Sequence, residues 1–336
     1  MEKKNMYLAV IAVIVIIIAA IGAALVLNNK SEPQEKNAKI VLLKKTSSSP
    51  AYSPLDQAAV YNGSYSLSRY LYLYTDGVPS NGSSINQWLA FILNTTKGQA
   101  MVSNAGFYPL QPSDLAAMKA QLTITNKTGL TGNFKEGGST TMAEISNLWS
   151  QEFQNETGKK VTISLGGSGT GISNFISHVV DVAQSSRKMT AQEHINAAAA
   201  GINVTEWKIG VDGISIIVNH DNPVTTLTLA QLEGIYNGTY TNWQQVGGNN
   251  VAITLFGRDS ASGTYSSFKD LVLKQKENYS ASMQQANSNA LIPPQVEDNA
   301  GGIGYVGIGF AKEASGTASQ APSTIIATAL VLMGKQ

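Results

Sequence analysis

The sequence contains no cysteine. Disulfides, cysteine-ligated zinc, iron–sulfur clusters, thiol nucleophiles and a cysteine-borne lipid anchor are therefore excluded. Charge is also scarce: Asp, Glu, Lys and Arg make up 13% of 336 residues, and the formal net charge is +1. Such a balance gives no electrostatic footprint for nucleic acid. No GxxxxGK[ST] segment marks a nucleotide P-loop. There are only three histidines (His178, His194 and His220), and none shares a motif with a loop serine. No nucleophile–base pair is legible, so the sequence predicts neither an enzyme nor a bound cofactor or metal. Residues 39–310 carry no heptad, no solenoid period and no proline-rich linker. The length suits one large two-lobed domain or two ordinary ones.

The N-terminus is the first positive signal. Lys3 and Lys4 precede an unbroken apolar run from Met6 to Leu27. A bilayer-spanning helix needs about 20 such residues, whereas the apolar core of a cleaved signal peptide has about 7–15. The run reads as an uncleaved anchor over residues 1–28 rather than a cleaved signal, with the lysines inside and the rest outside the cytoplasm. Residues 29–38 read as a polar tether. Asn62, Asn81, Asn94, Asn126, Asn155, Asn203, Asn237 and Asn278 each open an N-x-[ST] sequon. In a chain this rich in Asn, Ser and Thr many arise by chance, so they permit an exported glycoprotein without establishing one.

Beyond the tether, short apolar runs alternate with helical patterns. Strands are predicted at Lys39–Leu43, Tyr70–Tyr74, Lys160–Leu165, Gly213–Val218, Val251–Phe256 and Ile303–Gly307. Helices are predicted at Ser84–Asn94, Met142–Glu156, Ile172–Val180, Leu229–Tyr236 and Tyr265–Lys274. The alternation implies α/β lobes with helices covering the sheets. Trp88, Trp149 and Trp243 fall on patterns that suit a core. Asn126–Asn133 reads as a polar turn, and the apolar Thr324–Met333, too short to span a bilayer, as a packed strand rather than a tail.

Three segments place Gly, Ser and Thr just before a helical pattern: Gly137–Thr141, Gly166–Gly171 and Arg258–Thr264. The first turn of a helix leaves backbone N–H groups unpaired and carries partial positive charge. Glycine lets an anion approach, and Ser or Thr adds a hydroxyl donor, so such ends favour phosphate, sulfate or carboxylate. One segment alone reads as an ordinary N-cap. Three in one chain, with Arg258 able to supply a bidentate fork, point to a tetrahedral oxyanion.

The stretches EGGSTTMAEISNLWSQEFQNETG, ISLGGSGTGISNFI, DVAQSSRKMT, LTLAQLEGIYNGTYTNW, GRDSASGTYSSF and GGIGYVGIGF resemble, in order, the phosphate-binding proteins of ABC importers. These are two-lobed, type II-like members of the periplasmic-binding-protein superfamily. The resemblance covers Glu136 to Phe310. It implies an oxyanion held between the lobes by Thr140, Thr141, Ser168, Arg258, Ser262, Gly263 and Thr264. Ser186 stands where many members carry an Asp that accepts a hydrogen bond from protonated phosphate. Asp181 or Asp259 are candidates to replace it, and Arg187 is either a second anion contact or a surface ion pair. The implied partners are phosphate and the permease and ATPase subunits of an importer, the binding domain being a monomer tethered outside the membrane. Sulfate, molybdate or tungstate binding, or a surface sensor or structural glycoprotein of the same fold, are the alternatives.

Tyr61–Leu110 resembles the part of the family that ordinarily comes last, yet here it precedes the first motif. A circular permutation accounts for this better than a truncated tandem copy, because each motif occurs once. The predicted fold is thus a permuted Venus-flytrap: residues 69–210 form lobe I, 39–68 with 211–320 form lobe II, and 321–336 form a C-terminal strand or tail. The hinge crossings are expected near 66–70 and 210–213.

Overall fold

Apolar runs separated by glycine and asparagine become twelve strands that sort into two mixed sheets. They are seen in a computed structural model that describes residues 38–122, 131–274 and 277–316. The expected anchor, most of the tether, the first part of the 126–133 turn and the apolar 324–333 stretch lie outside the described residues. No described helix is long and apolar enough to cross a membrane. The architecture below belongs to the unit 37–336.

The strands in chain order are β1 (Ala38–Lys44), β2 (Ala51–Tyr52), β3 (Ser68–Asp76), β4 (Phe134–Gly138), β5 (Val161–Leu165) and β6 (Val182–Ser185). Then follow β7 (Val204–Gly213), β8 (Ser215–Asn219), β9 (Thr226–Thr228), β10 (Thr254–Arg258), β11 (Gln284–Ala286) and β12 (Gly302–Val306). The helices are α1 (Gln57–Tyr61), α2 (Ser84–Ile92), α3 (Gly98–Asn104), α4 (Pro112–Leu122), α5 (Ala143–Thr157) and α6 (Ser168–Ile176). They continue as α7 (Ala191–Ala199), α8 (Leu229–Tyr236), α9 (Gly263–Leu271), α10 (Ile292–Glu297) and α11 (Ile308–Ala314).

One sheet has the order β5-β4-β6-β3-β7. Its β4 runs parallel to β5 and β6, while β3 is antiparallel to β6 and β7. The other has the order β11-β10-β12-β8-β1-β2, with β9 also paired to β1. Each sheet is the floor of one lobe. The longest ladder is β3 against β7, from Ser68 opposite Gly213 to Asp76 opposite Val204, with a register shift between Leu71 and Tyr72. Ser68 and Gly213 are also where the chain passes to the strands of the other sheet.

Helical spacing explains how the layers pack. Ile145, Trp149 and Phe153 recur every four residues on α5 and are buried. They meet Trp88 of α2, whose ring centroid lies 6.3 Å from that of Trp149 and 5.1 Å from that of Phe153. The second lobe has its own aromatic cluster, in which Phe268 stacks on Tyr305 at 4.2 Å and Tyr236 meets Phe268 edge-on at 4.6 Å. Trp88, Trp149 and Trp243 are all buried as expected, and so is Trp207. Local ends follow sequence chemistry: Thr190 with Glu193 and Thr228 with Gln231 form capping boxes on α7 and α8, and Gly158 ends α5 in the left-handed region at φ 71°.

Three boundaries differ from the sequence expectation, and each difference shapes the site. Gly137 and Gly138 end strand β4 instead of opening a helix. Helix α6 starts at Ser168, four residues before the predicted Ile172, because Ser168 and Gly171 are buried against β4 and β6. Arg258 is the last residue of β10, which holds its backbone in a ladder instead of a loop.

Candidate functional site

The three glycine-rich segments converge where the two sheets face each other. The first leaves β4 through Gly138, whose φ of 141° suits glycine; a Cβ there would lie 2.2 Å from the Gln184 carbonyl oxygen. Ser139 then caps a 3₁₀ turn at Thr140–Met142, its hydroxyl accepting from the Thr141 N–H at 3.2 Å. The second folds over the same glycine: the N–H groups of Gly166 and Gly167 both donate to the Gly138 carbonyl, at 3.1 and 2.9 Å. That presents Ser168 at the head of α6. The third leaves β10 at Arg258, and Ser262 caps α9 by accepting from Thr264 N–H at 3.1 Å.

The hydroxyls meet across the lobes. Thr141 Oγ1 and Thr264 Oγ1 are 2.9 Å apart, Thr141 Oγ1 donates to Ser186 Oγ at 3.3 Å, and Ser168 Oγ lies 3.5 Å from Ser186 Oγ. Gly263 packs so tightly on this group that a Cβ would come 2.3 Å from Ser168 Oγ and 2.6 Å from Ser186 Oγ. Further bonds clasp the lobes, from Gly169 N–H to the Ala261 carbonyl at 3.0 Å and from Ser267 Oγ to the Ser186 carbonyl at 3.3 Å. Thr140, Thr141, Ser168, Ser186, Arg258, Ser262 and Thr264 are all buried. The structure therefore brings these seven residues and Gly263 to one place.

Arg258 is held from both lobes. Its Nε donates to the Ala286 carbonyl at 3.0 Å, and its Nη2 to the Asn287 carbonyl at 3.0 Å and to Thr140 Oγ1 at 2.8 Å. All of these acceptors are neutral, and Nη1 is buried with no hydrogen-bond partner. Burial pulls the guanidinium down to about 10, with the nearby Asp259 carboxylate opposing and Arg69 adding to the effect. It stays charged near neutral pH. A buried cation whose hydrogen bonds all go to neutral acceptors is costly, and a bound anion would offset that cost.

Three further residues complete the cluster and were not singled out from the sequence. Arg69 on β3 donates through Nη2 to Thr264 Oγ1 at 3.0 Å and to Thr141 Oγ1 at 3.5 Å. Asp212 on β7 accepts from Arg69 Nε at 2.9 Å and Nη2 at 2.6 Å through the same oxygen, Oδ2. Asn289 donates to Thr141 Oγ1 at 3.0 Å, and its Oδ1 is a buried acceptor with no partner. A signal for the first two was present: each is a charge inside an otherwise apolar run, and fully buried charges are rare unless they are paired.

The other candidates stand apart. Arg187 makes a two-pronged ion pair with Glu193, at 2.7 and 2.6 Å. Asp181 accepts from the backbone of Lys135, and Asp259 from the backbone of Ala261. His178, His194 and His220 are all exposed. Among the described residues no group of three or more His, Asp or Glu could hold a metal ion.

Comparison with known proteins gives a consistent setting. A family model described as PBP superfamily domain matches residues 124–335. The phosphate-binding protein PstS of Borreliella burgdorferi is 34% identical over 185 residues, covering 52% of this chain and 63% of its own length. Protein SphX of Synechococcus elongatus is 30% identical over 186 residues, covering 53% of this chain and 55% of its own. The chain thus spans less than two thirds of the length of these relatives. Among solved structures, an ABC-type phosphate transport receptor from Vibrio cholerae matches with a TM-score of 0.43 at 31% identity, over 55% of this chain and 74% of that one.

Proposed function

The chain belongs to the PBP superfamily, and on that premise we propose that it captures phosphate between its two lobes and passes it to an ABC importer. The observation that carries this reading is Arg258. It is a buried guanidinium fixed from both lobes by neutral acceptors, with one nitrogen left unpartnered beside a cluster of Thr and Ser hydroxyls. Thr140, Thr141, Ser168, Ser186, Ser262, Gly263 and Thr264 complete the proposed anion site. The names of the relatives support phosphate as the ligand, and delivery to an importer is part of the same reading. Tethering through residues 6–27 outside the cytoplasm is part of the same reading.

The choice of oxyanion turns on an acceptor. Ser186 supplies a hydroxyl and no carboxylate, which leaves sulfate without a repelling charge. Asn289 Oδ1 supports phosphate: it is a buried, unpartnered acceptor beside Thr141, suited to the proton that phosphate keeps near neutral pH and sulfate lacks. Titration calorimetry with phosphate and sulfate tests both points. Phosphate is expected to bind and Arg258→Ala to lose most of that affinity. Sulfate binding without phosphate binding would move the function to the alternative oxyanion, and an unaffected Arg258→Ala would remove the site.

The permuted order is proposed with it, with lobe I at 69–210 and lobe II at 39–68 and 211–320. Two facts support this. Strand β3 lies between β6 and β7, and β1 lies between β8 and β2, so the early segment completes the same two sheets that the later segment builds. A tandem remnant would have begun a sheet of its own. The pair Ser68 and Gly213, directly opposite in the ladder, supports hinges at 66–70 and 210–213.

A further inference from the structure

We infer that Arg69 is a second guanidinium that contacts the bound oxyanion, oriented for this by Asp212. The inference rests on the proposed anion site and adds to it a residue from the strand that carries the hinge.

The geometry separates this role from that of a plain structural ion pair. A pair built only for stability tends toward two parallel bonds, one to each carboxylate oxygen. Here Nε and Nη2 of Arg69 both go to Asp212 Oδ2, while Oδ1 accepts from the N–H of Ile308 at the start of α11. The carboxylate is thus shared between the guanidinium and a helix end. Arg69 keeps Nη2 on the threonine pair and Nη1 buried with no partner. The side chain is only 6% exposed, so water does not serve that nitrogen from outside.

Counting donors gives the same answer. Thr141 Oγ1 alone lies within hydrogen-bond distance of Arg69 Nη2, Asn289 Nδ2, Thr264 Oγ1 and Ser186 Oγ. One hydroxyl offers a single hydrogen and two lone pairs, so it cannot satisfy four neighbours. Among the cluster's unpartnered buried atoms, two guanidinium nitrogens, Nη1 of Arg69 and of Arg258, stand against one amide oxygen, Asn289 Oδ1, and a tetrahedral oxyanion is nearly all acceptor. Within the buried cluster, Arg69 and Arg258 face one buried carboxylate, Asp212, while the second nearby carboxylate, Asp259, is only half-buried and bonds to the Ala261 backbone. A buried cluster richer in guanidinium than in carboxylate suits an anionic ligand, and Arg69 is the cation that reaches the threonines of both lobes through Nη2 while its Nη1 has no partner.

The chain has three arginines, Arg69, Arg187 and Arg258, so the test can be read on the unaltered binding site. In the full chain carrying Arg187→Lys, ¹⁵N–¹H spectra of the arginine Nε–H region should show two signals. Both are expected to shift when inorganic phosphate is added to saturation. Movement of only one would overturn the contact while leaving the anion site standing. A chain that binds neither phosphate nor sulfate by calorimetry would overturn the site and this inference with it. Arg69→Gln combined with Asp212→Asn removes both charges and strands neither. It is expected to keep its ligand-free melting temperature within a few degrees and to weaken phosphate binding roughly 10- to 100-fold, the worth of a charged hydrogen bond. Unchanged affinity in that folded variant would also overturn it.

Discussion

Single residues decide how tightly the lobes can close. Gly263 has room for no side chain, since the hydroxyls of Ser168 and Ser186 occupy the position of a Cβ. Gly263→Ala is therefore expected to hold the lobes apart and weaken phosphate binding at least about tenfold, a cost of roughly 1.4 kcal/mol, with little change in ligand-free melting; calorimetry and thermal unfolding read the two effects separately. Glu136, on β4 of the other sheet, shows how burial acts on a carboxyl. Its Oε2 accepts from the Trp88 indole at 2.8 Å and its Oε1 has no partner, and burial raises it from an ordinary 4.5 to about 7. Between those values the folded chain holds a proton that the unfolded chain has released, so stability falls as pH rises through that window. The loss is on the order of 3 kcal/mol once pH passes 7. Denaturant titrations at pH 5 and pH 8 should show it in the wild type and a smaller change in Glu136→Gln.

At the scale of elements, the two aromatic clusters anchor helices to sheets. Trp149 fills the space between α5 and α2, and its indole donates to the Gly98 carbonyl at 3.0 Å. Trp149→Ala is expected to cost about 3–5 kcal/mol in denaturant unfolding. By contrast Thr190→Ala, which removes only the capping box of α7, should cost about 1 kcal/mol. Elements with a regular apolar period were legible beforehand: α5 through Ile145, Trp149 and Phe153, and β3 through its tyrosines and leucines. Strands β4, β6 and β7 were not. Their apolar patterns are short or broken by polar residues and, in β4 and β7, by glycine, and their pairing comes from partners far along the chain, as with β7 against β3. The same reason divides the site. Thr140, Ser168 and Thr264 announce themselves by local glycine and helix-start chemistry. Arg69 meets Asp212 across 143 residues and Thr264 across 195, a proximity no local pattern encodes.

For the whole molecule, the proposed permutation implies that the order of the segments matters less than the sheets they complete. A chain rearranged so that residues 131–316 precede residues 38–122, joined by a flexible linker, should fold to the same circular dichroism spectrum and bind phosphate within about threefold of the original affinity, under 1 kcal/mol. A rearranged chain that stayed unfolded would count against the permutation. The lobes are joined at one edge by adjacent strands and clasped at the site by contacts from both sides. In the proposed hinge motion, closing exchanges hinge twist for cross-lobe hydrogen bonds, each worth about 1 kcal/mol.

Strand β1 has a mechanical consequence. Its first residue, Ala38, pairs with Asn219 of β8, and its later residues pair with β9 and β2. A pull applied at Ala38 along the strand would load those ladders in shear, with several bonds resisting together. The same pull on a hairpin tip would peel them one at a time. Drag on a domain held from this end would thus be borne by the interior of a sheet, and the load path would bypass β3, β7 and the cleft they join.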